Sequence, residues 1–225
     1  MKGKLIVIEG VDGSGKATQS ELLAKRLRAD NKQILSISFP DYNNQSSLFV
    51  KMYLAGEFGA SPGDVNPKAA STFFALDRFV SYHKGWKQDY LDGKIIIADR
   101  YVTSNMVHQA SKIDDEEQKN EFLDWLSDLE YNIYSLPQPD CVVFLDMPPE
   151  YCKQLTKNRV NKATGEEKKD IHELDFNYIK HSYKNACHIA NRLNWRSVNC
   201  VKDDTVRSVS DISDEIYSIV SGVLD

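Results

Sequence analysis

The chain has 225 residues, a formal net charge of −5 and 41% apolar residues, enough to bury the core of one α/β domain without disulfides. The mild acidity argues against a nucleic-acid polymer as the main partner, and no apolar run is long enough to span a membrane. The apolar run near the N-terminus is too short for a secretory signal. The 4 cysteines form no CxxC or Cys/His pattern, which is typical of reduced thiols in a cytoplasmic protein.

Short β-branched runs alternate with longer helical patterns along the chain. The predicted strands are Leu5–Ile8, Ile34–Phe39, Ile95–Ala98, Cys141–Leu145 and Arg196–Val201. The predicted helices are Lys16–Ala29, Pro67–Leu91, Thr103–Ala110, Glu116–Asn132, Pro149–Lys157, Phe176–Leu193 and Ser210–Val223. This alternation predicts an open α/β sandwich with a mainly parallel sheet. No linker divides the pattern, so residues 1–225 are predicted to form a single domain.

A glycine-rich segment lies between the first predicted strand and the first predicted helix. Gly10-Val-Asp-Gly-Ser-Gly-Lys16 has the spacing of a phosphate-binding loop, in which backbone N–H groups wrap phosphate oxygens and the lysine reaches the β- and γ-phosphates. A glycine-rich turn without a ligand is the alternative. The Ser or Thr that normally follows the lysine and ligates Mg²⁺ is here Ala17, then Thr18, which leaves the metal ligand open. The predicted ATP-binding residues are Gly10, Val11, Asp12, Gly13, Ser14, Gly15, Lys16, Ala17 and Thr18.

Charged side chains occur where ligands bind in parallel sheets. Asp99 and Arg100 directly follow the third predicted strand, so they point towards the phosphate loop. Arg100 suits a bidentate phosphate contact and Asp99 a metal-bound water, whereas a structural ion pair is the alternative. Asp12 suits a hydroxyl of a second ligand, although an aspartate is also common in a turn.

Two further segments suggest nucleotide chemistry. Phe74 and Arg78 are four positions apart and share a helix face, so a ring could stack on a base while a guanidinium donates to its carbonyl; a core phenylalanine is the alternative. The charged segment Lys157–Asp175 is either a solvated loop or a mobile lid. As a lid, it could bring Arg159 to a transferring phosphoryl group.

Together these residues resemble the thymidylate kinase family over essentially the whole chain. The resemblance rests on Glu9-Gly-Val-Asp-Gly-Ser-Gly-Lys16, Phe74-Ala-Leu-Asp-Arg78, Asp99-Arg-Tyr-Val-Thr-Ser104 with Gln109, Leu145-Asp146 with Pro149-Glu150, and Asp170-Ile-His-Glu173. It implies a three-layer P-loop sandwich with a five-stranded parallel sheet, and a homodimer. It also implies transfer of the γ-phosphoryl of ATP, bound with Mg²⁺, to dTMP.

The resemblance also implies roles for single residues. Catalysis would fall to Lys16, Arg100 and Arg159, with the lid arginine of the bacterial type because Gly13 leaves no basic side chain in the loop. Asp99 would hold the metal through water. Asp12 would hold the 3′-hydroxyl, Phe74 would stack on thymine, Arg78 would contact O4, and Arg100 would bridge phosphates. The implied acceptor-binding residues are Asp12, Lys51, Phe74, Arg78, Arg100, Ser104 and Gln109.

The chain departs from the family pattern at several positions. Tyr42 stands where an arginine for the dTMP phosphate is common, and Lys51 is either its replacement or a solvated lysine. His108 stands where a tyrosine often precedes the glutamine, and as a packed or surface histidine it receives no role. Leu155 occupies a stretch where an arginine often lies along adenine, leaving Lys157 or no equivalent.

Three alternative functions stay open on the sequence. The first is a kinase for another nucleoside or nucleoside monophosphate. The second is a GTP-operated switch, against which Asn161-Lys-Ala-Thr164 lacks the aspartate of the guanine-reading pattern. The third is a catalytically silent relative, which Ala17 and Tyr42 suggest.

Overall fold

A parallel sheet forms the middle layer of the fold. The computed structural model describes residues 2–155 and 171–224. The strands are β1 (Leu5–Glu9), β2 (Ile34–Ser38), β3 (Ile95–Asp99), β4 (Cys141–Asp146) and β5 (Arg196–Asn199). They lie in the order β2-β3-β1-β4-β5, and all neighbouring pairs are parallel. The predicted five-stranded parallel sheet is thereby confirmed.

Helices cover both faces of this sheet. They are α1 (Lys16–Ala29), α2 (Leu48–Leu54), α3 (Pro67–Ser81), α4 (Lys87–Leu91), α5 (Val102–His108), α6 (Glu116–Ser127), α7 (Pro149–Leu155), α8 (Ile171–Leu174), α9 (Phe176–Arg192) and α10 (Val209–Leu224). A π-helical turn, Tyr82–Trp86, joins α3 to α4, and a second, Asp128–Ile133, follows α6. The stretch predicted as one helix over 67–91 is therefore helical throughout, with a widened turn inside it.

Alternate side chains of the central strands enter two separate cores. Leu5 and Val7 of β1 pack on one face with Trp86 and Phe122, whereas Ile6 and Ile8 pack on the other face with α1 and α10. Every residue of β1 and β3 is buried, as expected of strands covered on both faces. The result is the predicted three-layer sandwich.

Two predictions on elements are wrong. Helix α2 was not predicted, because its seven residues are too short for a helical period to emerge beside a turn-rich segment. The last predicted strand does not reach Val201. After β5 the chain leaves the sheet, and β6 (Val201–Lys202) pairs antiparallel with β7 (Thr205–Val206). Asp203 and Asp204 both have positive φ, 49° and 55°, the backbone that a two-residue hairpin turn requires.

The fold brings the carboxyl ends of β1 and β3 to the same edge of the sheet. Ile8 lies beside Asp99 in the parallel register, so the loop after β1 and the segment after β3 begin next to each other. This edge is where ligands bind in open α/β sheets. No helix in the described part of the chain is long and apolar enough to cross a membrane.

Candidate active site

The loop between β1 and α1 is the predicted phosphate-binding loop, and its backbone depends on glycine. Gly15 begins α1 in the left-handed conformation, with φ 91°, which an L side chain rarely adopts. A Cβ at Gly10 would lie 2.6 Å from Ser14 Oγ. Ser14 Oγ itself is buried without a hydrogen-bond partner among the described residues. The hydroxyl thus lies against Gly10, and only glycine fits at position 10. Ala17 presents a half-buried methyl group, and Thr18 is exposed on α1.

Lys16 is buried against this loop. Its Nζ donates a hydrogen bond to the carbonyl oxygen of Val11 at 2.8 Å. Burial and then the nearby Arg100 guanidinium lower the pKa of Lys16 to about 8. The neighbouring carboxylates of Asp12, Asp99 and Glu9 act in the opposite direction without cancelling the shift. The surroundings of Lys16 thus favour the neutral amine, and a bound phosphate would favour the charged ammonium group instead.

Arg100 connects the phosphate loop to α5. Its Nη2 donates to Asp12 Oδ1 at 2.6 Å, while Nη1 donates to Ser104 Oγ at 3.2 Å. The backbone of Arg100 has φ 70°, a strained conformation for a residue with a side chain. Although burial alone would raise the pKa of the Asp12 carboxyl, Arg100 and then Lys16 hold it well below its usual range. Both partners therefore stay charged.

Glu9, at the end of β1, organises the same edge and was missed as a site residue. The side chain is fully buried, and its Oε1 accepts from the Gly10 N–H at 3.0 Å. Its Oε2 accepts from Thr103 Oγ1 at 2.7 Å and from Ser104 Oγ at 2.8 Å. Arg100 Nη1 lies 3.8 Å from Oε1. A glutamate that ends an otherwise apolar strand was the available signal.

His108 also forms a hydrogen bond with Arg100. Its Nε2 lies 3.1 Å from Arg100 Nη1, and because a guanidinium can only donate, Nε2 accepts and the proton lies on Nδ1. The ring lies 6.0 Å from the ring of His172, nearly parallel to it. Burial, then the Arg100 charge, keep the pKa of His108 well below its ordinary value, and burial lowers that of His172 to about 3. Both imidazoles are neutral at physiological pH.

A cleft of about 520 Å³, including its open mouth, begins at Asp12 and Arg100. Six of the predicted acceptor-binding residues line it: Asp12, Phe74, Arg78, Arg100, Ser104 and Gln109. Gln109 is buried, and its Oε1 has no hydrogen-bond partner within the described residues. Phe74 is half-buried and meets the ring of Tyr53 edge-on at 6.0 Å. The cleft thus combines an aromatic face with polar side chains, one of which, Gln109, has an unpartnered oxygen.

Lys51, the seventh predicted acceptor-binding residue, is on α2 and is not among the described residues that line the cleft. Tyr42 lines it instead. The loop that carries Tyr42 is held by Asp77, whose carboxylate accepts from the Asp41 N–H at 2.8 Å and from Ser46 Oγ at 2.6 Å. Sequence reasoning missed Asp77, because its partners lie more than 30 positions away.

Arg78 is held by a glutamate that was also missed. Its Nε and Nη2 each donate to the Glu130 carboxylate at 2.6 Å, and both side chains are almost completely buried. Its Nη1 donates to the Tyr101 carbonyl oxygen at 3.4 Å. Glu130 lies in the π-helical turn after α6, where the sequence resembles an ordinary helix end.

The end of the predicted lid forms part of the cleft. Residues 171–174 are the helix α8, with Ile171 packed against Tyr53 in the core beneath α2. His172 lines the cleft, and its Nε2 lies 3.0 Å from Tyr53 Oη in a hydrogen bond. Ile171 and His172 are therefore buried, whereas Leu174 is exposed. Arg159 and Lys157 lie outside the described residues, and Leu155 is exposed at the end of α7.

Comparison with known proteins identifies the family. A family model described as thymidylate kinase matches residues 8–202. The chain belongs to the thymidylate kinase family. The thymidylate kinase of Mycobacterium tuberculosis is 32% identical over 174 residues, covering 76% of this chain and 78% of that protein. The probable thymidylate kinase of Thermococcus onnurineus is 32% identical over 218 residues, 96% of each chain.

A solved structure shares the fold. The structure of a thymidylate kinase from Candida albicans has a TM-score of 0.69 and 22% identity, covering 98% of this chain and 92% of that chain. This chain, like its family, is an ATP-dependent phosphotransferase that phosphorylates dTMP to dTDP. Family membership therefore favours a phosphotransferase over a GTP-operated switch.

Proposed function

We propose that Lys16, Arg100 and Arg159 carry the transfer of the γ-phosphoryl group from ATP to dTMP, with Arg159 supplied by segment 157–175 as in the bacterial-type arrangement. The observation that supports this most is the closeness of two cations: Lys16 is buried in the phosphate loop, Arg100 lines the acceptor cleft, and the charge of Arg100 helps to lower the pKa of Lys16. Two cations at this junction favour the negative charge that spreads over the equatorial oxygens during transfer.

Residues 10–18 take the ATP phosphates in this proposal. The loop offers backbone N–H groups at the start of helix α1. The Lys16 ammonium exchanges its bond to the Val11 carbonyl for phosphate oxygens. Because the phosphates favour the protonated amine, ATP binding raises the pKa of Lys16 from about 8.

The acceptor nucleotide occupies the cleft beside Arg100. Phe74 stacks on thymine, and Gln109 accepts from the ring N3–H through its unpartnered Oε1. Arg78 donates to the O4 carbonyl. Asp12 holds the 3′-hydroxyl, and Ser104, already bonded to Glu9, contacts the nucleoside. Lys51 stays a prediction as the ligand of the dTMP phosphate, with Arg100 bridging the phosphates.

The chain's residues fit a Mg²⁺ ion that comes with ATP. Asp99 ends β3 beside the phosphate loop, and a single carboxylate suits Mg²⁺, which keeps most of its water and binds substrate phosphates. No group of three or more His, Cys, Asp or Glu that could hold a metal occurs among the described residues. Asp99 would hold the ion through water, and when bound the ion supplies charge to the phosphate oxygens.

The chemistry then needs positioning more than proton transfer. The acceptor phosphate is already an anion, so no general base is required. The partly buried contacts of Arg100 with Asp12, Ser104 and His108 fix the guanidinium before substrate arrives. A cation held in advance does not have to reorganise during transfer.

Arg159→Ala tests the catalytic assignment. We expect kcat with saturating ATP and dTMP to fall by about 10³-fold or more with the fold intact, the factor that such an arginine supplies. Arg28→Ala, an exposed arginine on α1, is the matched control and should keep normal turnover. Near-normal kcat in Arg159→Ala would refute the lid-arginine assignment.

Phe74→Ala tests the acceptor assignment. Removing the ring should raise the KM for dTMP about tenfold or more, since base–aromatic stacking contributes about 1–3 kcal/mol. Phe49→Ala removes a half-exposed ring that does not line the cleft, and should leave this KM unchanged. An unchanged KM in Phe74→Ala would show that this ring does not hold the base.

We also infer a single-domain chain that forms a homodimer in the cytoplasm. The resemblance supports the dimer, and the absence of a disulfide among the described cysteines is compatible with a reducing compartment. Light scattering on the purified protein tests the dimer, because a monomer at micromolar concentration would contradict it.

A further inference from the structure

Arg78, which lines the cleft, forms a buried ion pair with Glu130 that the transfer chemistry does not use. Arg78 is 2% exposed and Glu130 is fully buried. Both bonds of the pair measure 2.6 Å, and they run from Nε and Nη2, one side of the guanidinium, to the two carboxylate oxygens. Burial alone would lower the pKa of Arg78, and the Glu130 carboxylate raises it instead. The pair is therefore charged on both sides and neutral as a unit.

This pairing leaves a defined set of donors on Arg78. A guanidinium has five N–H donors. Glu130 takes two of them, and the Tyr101 carbonyl takes one from Nη1. Within the described residues the remaining donors on Nη1 and Nη2 have no partner, and Arg78 lines the cleft. The Nη1 and Nη2 side of the guanidinium is thus held in a fixed orientation, with N–H donors left for a ligand.

The position of Glu130 depends on its irregular turn. The turn Asp128–Ile133 has the wider π-helical spacing, and it continues directly from α6. The backbone N–H of Leu136 closes it on the Glu130 carbonyl oxygen at 3.0 Å. A π turn inside a helix often marks a functional position, because it redirects one side chain. Here the Glu130 carboxylate meets Arg78 of α3.

We propose that Glu130 is a positioning residue that makes the acceptor cleft select a base with a carbonyl group at ring position 4. It acts by turning Arg78 so that a neutral ion pair presents N–H donors at that position. This inference rests on the proposed role of Arg78 towards the base.

The chemistry of the pair supports selection rather than mere attraction. A lone buried guanidinium would attract the nucleotide phosphate anywhere in the cleft, whereas a neutralised one offers little net charge and chiefly donors. A carbonyl accepts from these donors. An exocyclic amine at the same ring position would set donor against donor and leave buried groups unpaired, which strongly disfavours binding.

Glu130→Gln tests the inference against two acceptors. A glutamine amide places its own –NH₂ against one Arg78 donor, so the fixed orientation is lost. The probes are dTMP and 4-thio-dTMP. Both keep N3–H, and they differ only at position 4, where sulfur is a weaker and larger acceptor than oxygen. We expect the wild-type kcat/KM ratio between them to be about tenfold or more, and to approach one in Glu130→Gln, mainly through a higher KM for dTMP.

A matched control and a second variant complete the experiment. Glu215→Gln removes the partner of Arg207, 2.7 Å away on α10, and should leave the ratio unchanged. Glu130→Asp keeps the charge but withdraws it by one methylene, so its ratio should be intermediate. The melting curve of Glu130→Gln shows whether that variant folds. If it does not fold, the ratio measured for Glu130→Asp tests the inference. A lowered melting temperature with the full wild-type ratio in the folded variant would overturn the inference, because Glu130 would then be purely structural.

Arg78→Lys separates the two proposals. If its ratio falls but the Glu130 variants keep theirs, the inference about Glu130 fails and the role of Arg78 stands. If Arg78→Lys keeps the wild-type ratio, Arg78 does not read position 4 and the proposed function is wrong at that residue. A collapse of the ratio in both sets of variants supports the two together.

Discussion

The lowered pKa of Lys16 predicts how catalysis responds to pH. A free lysine has a pKa of 10.5, and burial beside Arg100 brings that of Lys16 to about 8 in the absence of ATP. Raising the pH through about 8 therefore removes the ammonium charge that the loop offers to phosphate. Each further pH unit should lower kcat/KM for ATP about tenfold. Bound phosphates keep the amine protonated, so kcat itself should fall at a higher pH.

The same shift changes stability in the opposite direction. Because the folded pKa lies below the unfolded value, the unfolded chain binds more protons between about pH 8 and 10.5. The free energy of unfolding therefore rises across this window. A shift from 10.5 to about 8 corresponds to about 3 kcal/mol, since each unit contributes about 1.36 kcal/mol. If activity falls while the free energy of unfolding rises, deprotonation of Lys16 is the cause of the lost activity, because alkaline unfolding would lower both.

The assay is a coupled measurement of ADP formation from about pH 7 to 9.5, with dTMP saturating and ATP varied. Lys16→Arg keeps its charge throughout. Whatever activity remains should therefore lack the basic limb, that is, the fall in kcat/KM for ATP above about pH 8. Lys112 is the matched control, because burial lowers its pKa to about 8 as well, but it bonds to Tyr53 on the acceptor side. Lys112→Met should keep the limb. A flat kcat/KM for ATP, or a limb that survives in Lys16→Arg, would refute the reasoning.

Two further substitutions probe the buried carboxylates. Glu9→Gln should lower the free energy of unfolding by about 1–3 kcal/mol in urea, because the two hydroxyls that bond to its Oε2 lose a charged acceptor. The exposed Glu21→Gln on α1 should change it little, and equal values for the two variants would contradict the burial argument. Asp77→Ala should lower it by about 2 kcal/mol or more, since Asp41 N–H and Ser46 Oγ lose their acceptor. The KM for dTMP should rise as well, and an unchanged KM would mean that the anchored loop does not shape the cleft.

Much of the fold follows from local patterns. β1 and β3 are runs of consecutive apolar residues, and such runs predict strands buried on both faces wherever the chain goes next. The spacing from Gly10 to Lys16 predicts the loop because its backbone conformation depends on the residues within it. Helix α2 and the turn after β5 were beyond this reasoning, because both depend on short segments whose neighbours decide their shape.

The candidate site divides in the same way. The sequence by itself predicted Lys16, Arg78 and Arg100 as site cations, because each stands at a recognisable spacing from a strand end or on a helix face. The tertiary structure decided their partners. Arg78 meets Glu130 across 52 positions and Arg100 meets Asp12 across 88. Sequence spacing sets which residues can share a strand end or a helix face, whereas the pairing of buried charges depends on which surfaces the packed sheet and helices bring within 3 Å of each other.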